Sequence, residues 1–153
     1  MMAAEHYPVM LEEAVEALSL EGAEKVVDAT FGGGGHTRRI LRALGPEGRV
    51  IGVDRDPEAA ARAEGLAEED RRFTFVPGAY DEVLEGLVAE GVNVDAVLFD
   101  LGLSSYQIDE AARGFSYVRE GPLDMRMDPE RGEAAADFLN EAEPPEIADV
   151  LAR

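Results

Sequence analysis

Short apolar runs alternate along the chain with longer stretches in which apolar residues recur at helical spacing. Val9 to Leu18 reads as an amphipathic helix, with Val9, Met10, Ala14, Val15 and Leu18 on one face and Gly22 closing it. Lys25 to Thr30 is a short apolar strand that stops at Asp28-Ala29-Thr30. A glycine run follows, then a helix carrying Ile40, Leu41 and Leu44, broken at Gly45-Pro46. Arg49 to Val53 is a second strand, ending at Asp54. Asp56-Pro57 has the form of an N-cap followed by proline at the first helical position, and the Ala-rich helix behind it reaches about Ala67. Phe73 to Val76 is a third strand, Asp81 to Glu90 a helix closed by Gly91, and Ala96 to Phe99 a fourth strand ending at Asp100.

Short apolar strands separated by helices predict an α/β fold, a parallel sheet covered on both faces with right-handed crossovers. In such a Rossmann-like sheet, ligands bind outside the carboxyl ends of the strands. After Asp100 the rhythm changes. Gly114, Gly121-Pro122, Pro129, Gly132 and Pro144-Pro145 punctuate short helical pieces, among them Glu133 to Asn140 and Glu146 to Ala152. The composition predicts a core over residues 1–104 and a separate helical region over residues 105–153. The fourth strand would be an edge with apolar faces, open to pairing between copies and so to a homo-oligomer.

Chemistry gathers at the predicted strand ends. Asp28-Ala29-Thr30-Phe31-Gly32-Gly33-Gly34-Gly35-His36 is a glycine turn from strand to helix. The pyrophosphate fingerprint G-x-G-x-x-G is incomplete, because Thr37 or Arg38 stands where the third glycine belongs. That spacing speaks against a nicotinamide oxidoreductase and leaves room for a nucleoside ligand without phosphates. Asp54, twenty residues after Gly34, is placed to accept hydrogen bonds from ribose hydroxyls. Tyr80 either lies against a purine ring or packs under the helix that follows. Asp100, before Leu101-Gly102-Leu103-Ser104-Ser105, suits an acceptor for the N–H bonds of an amine under attack, orienting its lone pair and offsetting developing charge. His36 beside the glycines lines the same cleft. His6 is the one other histidine, and no convergent ligand set predicts a metal.

Charge complicates the choice of partner. Thirty-three acids against fourteen bases give a net charge of −19, unlike most proteins that grip phosphates. A local strip of arginine can still serve, and Lys25 is the only lysine. No cysteine is present, which excludes disulfides and thiolate metal sites. No apolar run is long enough to span a membrane, and Met1 to Tyr7 has no signal-peptide pattern, so a cytoplasmic protein is expected.

Taken in order, several stretches resemble one family. They are His6-Tyr7-Pro8-Val9-Met10-Leu11, Asp28 through His36, Gly52-Val53-Asp54-Arg55-Asp56-Pro57 and Asp100 through Ser105. Gln107-Ile108-Asp109, Arg113-Gly114-Phe115-Ser116 and Gly121 through Asp128 continue the series. The sequence is similar to the RsmH (MraW) family, the N4-methyltransferases of a decoding-centre cytidine in 16S ribosomal RNA. The resemblance implies an S-adenosylmethionine-dependent methyltransferase fold with cofactor contacts at Gly34, Gly35, His36, Asp54, Tyr80, Asp100 and Gln107, and Asp100 as the catalytic residue. It also implies that residues 105–153 begin a helical insert that meets 16S RNA in the small ribosomal subunit, with Arg113 and Arg126 as phosphate contacts unless they pair with Asp124 or Asp128. Family members run well past Arg153. The expected alternatives are a truncated cofactor-binding module without turnover and a small-molecule methyltransferase, the latter favoured by the acidic charge.

Overall fold

A computed structural model describes residues 8–152 and divides the chain into two compact units, Met1–Gly102 and Leu103–Arg153. The first unit runs α1 (Leu11–Ala17), β1 (Lys25–Asp28), α2 (Gly35–Ala43), β2 (Arg49–Asp54), α3 (Pro57–Glu69), β3 (Phe73–Pro77), α4 (Tyr80–Ala89) and β4 (Ala96–Leu98). The four strands are all parallel, in the order β3-β2-β1-β4. This is the Rossmann-like arrangement, in which the strand order turns back between β1 and β4. The expectation that falls on His6 and Tyr7 lies outside the described residues.

Strand alternation sorts the core into two layers. Val26, Val50 and Phe73 face Val15 of α1, Ile40, Leu41 and Leu44 around α2, and Ala59, Ala63 and Leu66 of α3. Val27, Ala29 and Val53 face the other way, where Val83, Leu84 and Leu87 of α4 cover them. Val26, Val27, Val50 and Val53 are completely buried, as the interior strands of a doubly covered sheet must be. Asp95, just before β4, ties that strand to the start of β1. Its carboxylate accepts the Glu24 and Lys25 N–H groups, both at 2.8 Å, and these bonds hold its pKa below the usual carboxylate value.

Several elements differ from expectation by one or two residues at their ends, β1 stopping at Asp28 and not Thr30, and two of the differences have a physical reason. The first helix starts at Leu11, so Val9 and Met10, expected on its buried face, are exposed, and only Leu11 and Val15 are buried. Met10 sits at its N-cap with φ 52°, which turns the chain before the helix can include it. The fourth strand ends at Leu98, one residue early, because Phe99 and Asp100 leave the ladder.

The second unit contains α5 (Ser105–Asp109), a 3-10 turn at Ala111–Arg113, α6 (Ala135–Glu141) and α7 (Pro144–Leu151), and no strand among its described residues. The sequence reading missed α5, although its signal is present. Ser104 and Gln107 form a capping box, Ser104 Oγ accepting the Gln107 N–H at 3.2 Å and Gln107 Oε1 accepting the Ser104 N–H at 3.0 Å. Arg113 is buried and donates to the carbonyls of Arg126 (3.1 Å) and Met127 (2.7 Å). Arg126 forms a two-pronged pair with Asp124, Nε to Oδ1 at 2.9 Å and Nη2 to Oδ2 at 2.6 Å, which lowers the Asp124 pKa to about 2. Arg126 thus makes the pair with Asp124 that is one of its two open readings, whereas Arg113 donates to main-chain carbonyls.

Candidate functional site

The site is built where β1 ends. Asp28 closes the strand with its carboxylate completely buried. Its Oδ2 accepts the Thr37 hydroxyl at 2.6 Å and its Oδ1 accepts the Thr30 N–H at 3.2 Å. The second bond is the turn an aspartate makes with its own backbone two residues on. Together they tie the two ends of the glycine loop, the strand and α2, to one side chain. Burial pushes the Asp28 carboxyl above its ordinary pKa of 3.8, only partly opposed by Thr37, Thr30 and nearby His36.

That shift has a direction in stability. Between the unfolded and folded pKa values the native state holds more protons than the unfolded chain, so stability falls as pH rises through this window. Asp28→Asn imitates the protonated form and lacks this dependence. Its unfolding midpoint in urea is expected to exceed that of the wild type at neutral pH and to converge on it at about pH 3, below the unfolded pKa. A difference between the two chains that stays constant with pH would show that Asp28 does not titrate as its burial requires.

Phe31 explains much of the loop's composition. Its ring packs into the core, stacked on Phe73 (5.3 Å) and edge-on to Phe75 (5.4 Å). A Cβ on Gly34 would come within 2.8 Å of that ring, and Gly34 also adopts φ +77°. A Cβ on Gly52 of β2 would meet Phe73 at 2.7 Å and Phe31 at 2.9 Å. The sequence reading gave the glycines to a ligand. Gly34 is also required by the protein itself, to let Phe31 anchor the loop.

Asp54 ends β2 with both carboxylate oxygens already oriented. Oδ2 accepts the Gly32 N–H at 2.8 Å and Oδ1 accepts the Asp56 N–H at 2.9 Å. Asp56, not Asp54, caps α3, accepting the Glu58 N–H at 3.0 Å. An ionised carboxylate has about four acceptor positions, so Asp54 retains capacity for a vicinal diol while its orientation is fixed by main-chain donors. Arg62 Nε donates to the Gly32 carbonyl at 3.1 Å and steadies the same loop from α3.

The remaining first-unit residues meet at the end of β4. His36, buried at the start of α2, places Nδ1 3.7 Å from the Asp100 carboxylate, whose side chain is 51% exposed. Thr30 Oγ1 accepts the Asp100 N–H at 2.7 Å. Tyr80 is the first residue of α4 and is not packed beneath it; it is 42% exposed and lies edge-on to Phe99 at 5.3 Å. The structure therefore brings Gly34, Gly35, His36, Asp54, Tyr80 and Asp100 to the carboxyl edge of one sheet. Gln107 belongs to the second unit, buried in α5 with its Oε1 committed to the capping box. Asp28, Thr30, Thr37, Arg62 and Phe99 have no individual site role in the sequence reading, although Asp28 and Thr30 open the glycine motif. The Asp-x-Thr spacing at Asp28 and Thr30 was the one readable signal among them.

A parallel sheet with this strand order, a glycine turn after β1, a carboxylate at the end of β2 and an exposed carboxylate after β4 defines a Rossmann-like fold of the kind methyltransferases use. Comparison with known proteins narrows it. Residues 3–153 match the family described as the MraW methylase family, and the chain belongs to that family. It is 66% identical over 151 residues to Ribosomal RNA small subunit methyltransferase H of Rubrobacter xylanophilus, covering 99% of this chain and 48% of that protein. It is 49% identical over 148 residues to the protein of the same name in Alcanivorax borkumensis, covering 97% of this chain and 47% of that one. The chain thus spans about half the length of these curated relatives, in keeping with the expectation that family members continue beyond Arg153. A crystal structure from Klebsiella pneumoniae, assigned provisionally to the O-methyltransferases, superposes with a TM-score of 0.50. It has 22% identity and covers 65% of this chain and 46% of that one, a likeness of fold.

Proposed function

We propose that this chain carries the cofactor half of an S-adenosylmethionine-dependent methyltransferase that modifies N4 of a decoding-centre cytidine in 16S ribosomal RNA. The observation that carries the reading is Asp100, an exposed carboxylate just after β4 whose N–H is bound by Thr30 and whose carboxylate lies 3.7 Å from His36 beside the glycine loop. When bound, S-adenosylmethionine supplies an electrophilic methyl group on a sulfonium. The chain's own residues do the rest. Asp54 accepts the ribose hydroxyls, its orientation already fixed by the Gly32 and Asp56 N–H groups. Tyr80 offers a half-exposed ring to the adenine. Asp100 accepts an N–H of the exocyclic amine, turns the nitrogen lone pair toward the methyl group and offsets the positive charge that grows on alkylation. Gly34, Gly35 and His36 complete the cofactor contacts of the first unit on the strength of the family resemblance.

Residues 105–153 are assigned to RNA recognition within the small ribosomal subunit. Tyr117 there is 98% exposed beside Val118, which is 77% exposed, an arrangement suited to stacking an unpaired base. The name shared by the curated relatives supports the ribosomal substrate, and a cytoplasmic location follows from that substrate. Among the described residues no helix is long and apolar enough to cross a membrane, and no cluster of ligands is arranged for a metal ion.

The test is transfer of labelled methyl from S-adenosylmethionine to small-subunit particles that lack this modification. Label recovered as N4-methylcytidine at a single 16S position is the expected result. Saturable cofactor binding without transfer would instead support the module reading. Label on a small molecule and not on RNA would overturn the substrate assignment.

A further inference from the structure

Neighbouring parallel strands satisfy each other's backbone groups as long as they run together. The β1–β4 ladder continues through Ala29, whose N–H donates to the Leu98 carbonyl at 2.9 Å. Two residues on, the chain after β1 has changed partner, and the Phe31 N–H donates to the Val53 carbonyl of β2 at 2.9 Å. The crevice of the sheet opens at this divergence. The Asp100 N–H, on the far side of it, is met by the Thr30 hydroxyl oxygen at 2.7 Å. A side chain has taken the place of a ladder carbonyl where the two backbones part.

Thr30 is itself held. Its N–H is bound to Asp28 Oδ1 at 3.2 Å, and Asp28 Oδ2 takes the Thr37 hydroxyl of α2 at 2.6 Å. Asp100 is therefore held through its main chain from the glycine-loop side. Thr30 holds its main chain, and His36 stands 3.7 Å from its carboxylate. We propose that Thr30 is a positioning residue for Asp100, its hydroxyl fixing the Asp100 main chain across the crevice so that the carboxylate meets the cofactor and the acceptor amine in one place. This rests on the functional reading given above for Asp100. Serine would preserve the bond. Valine has the shape of threonine but no acceptor.

The experiment has two arms on the 153-residue chain. The first follows amide hydrogen exchange of 15N-labelled protein. The Asp100 amide is expected to exchange about fivefold faster in Thr30→Val and at the wild-type rate in Thr30→Ser, as loss of one hydrogen bond requires. The second is a double-mutant cycle read by S-adenosylmethionine affinity. Thr30→Val is expected to weaken binding about fivefold in the wild-type background and not at all in Asp100→Ala, because a residue acting through Asp100 has nothing to act on once that side chain is gone. An unchanged Asp100 amide in Thr30→Val, or an equal loss of affinity in both backgrounds, overturns the proposal; a merely structural role would give the second pattern. Failure of the wild-type chain to bind S-adenosylmethionine would count against the functional reading, and the exchange arm would still decide whether Thr30 holds Asp100.

Discussion

Asp54→Ala is expected to weaken S-adenosylmethionine binding by about 30- to 100-fold, measured by calorimetric titration beside the wild type. Hydrogen bonds to a charged acceptor contribute about 1.5–3 kcal/mol each, and a diol would make two. Part of that is returned when water solvates the freed hydroxyls, leaving about 2–3 kcal/mol, the tenfold-per-1.4 kcal/mol equivalent of the stated range. The substitution also releases the Gly32 and Asp56 N–H groups that the carboxylate now holds. Asp54→Asn separates the two contributions only in part, since its amide group would face one of those N–H donors with a donor of its own. Wild-type affinity in a folded Asp54→Ala chain would mean that the nucleoside lies elsewhere, and the ribose assignment would fall with it.

Ile40→Ala carries the largest expected effect on stability, about 3 kcal/mol. Ile40 is completely buried on α2 in the layer that includes Val26, Val50 and Phe73. Truncation removes three carbons from contact and leaves a cavity that surrounding strands relax into only partly, at a cost of about 2–5 kcal/mol in comparable cores. For a unit of this size that lowers the thermal midpoint by about 12–20 °C. Ile40→Val should cost about 1 kcal/mol at the same position. Equal midpoints for Ile40→Ala and the wild type would contradict the packing of α2 on the sheet. Since α2 also carries His36 and Thr37, the alanine variant is expected to bind cofactor less well near its lowered midpoint than the valine variant does.

The strands and most helices were legible because each is a local pattern. Val26 and Val27, or Val50 and Ile51, read as strand from adjacent apolar residues, and Asp56-Pro57 marked a helix start by capping chemistry that involves only its neighbours. Val9 and Met10 misled for the same reason. Their spacing fits the face of α1, but the left-handed turn at Met10 excludes them, and spacing does not record where a helix begins. The α5 capping box was readable in principle from Ser104 and Gln107, yet a five-residue helix offers too little apolar periodicity to draw attention to it.

Within the site, Asp54 and Asp100 were accessible from sequence because Asp54 ends a strand and Asp100 closely follows one, and strand ends in a parallel sheet face the ligand by topology. Asp28 and Thr30 were not, because their roles depend on partners across the chain. Thr30 matters through Asp100, seventy positions away, and Asp28 through Thr37 on the next helix. Phe99 and Tyr80 likewise meet only because α4 returns across the sheet.

The sequence alone determined the alternation of strands and helices, the glycine turn after β1, the carboxylates at the ends of β2 and β4, and the family to which these belong, since each is written in residues that are near one another or in a fixed order. Tertiary structure decided which of those polar groups are bound to one another. It buried Asp28 and raised its pKa, turned Phe31 inward so that Gly34 must be glycine, and committed Arg113 and Arg126 to bonds inside the second unit. It also joined Thr30 to Asp100 where β1 and β4 diverge. Hydrogen bonds and burial at these points depend on distances of a few ångströms between segments far apart in the chain, and only the packed sheet and its helices set those distances.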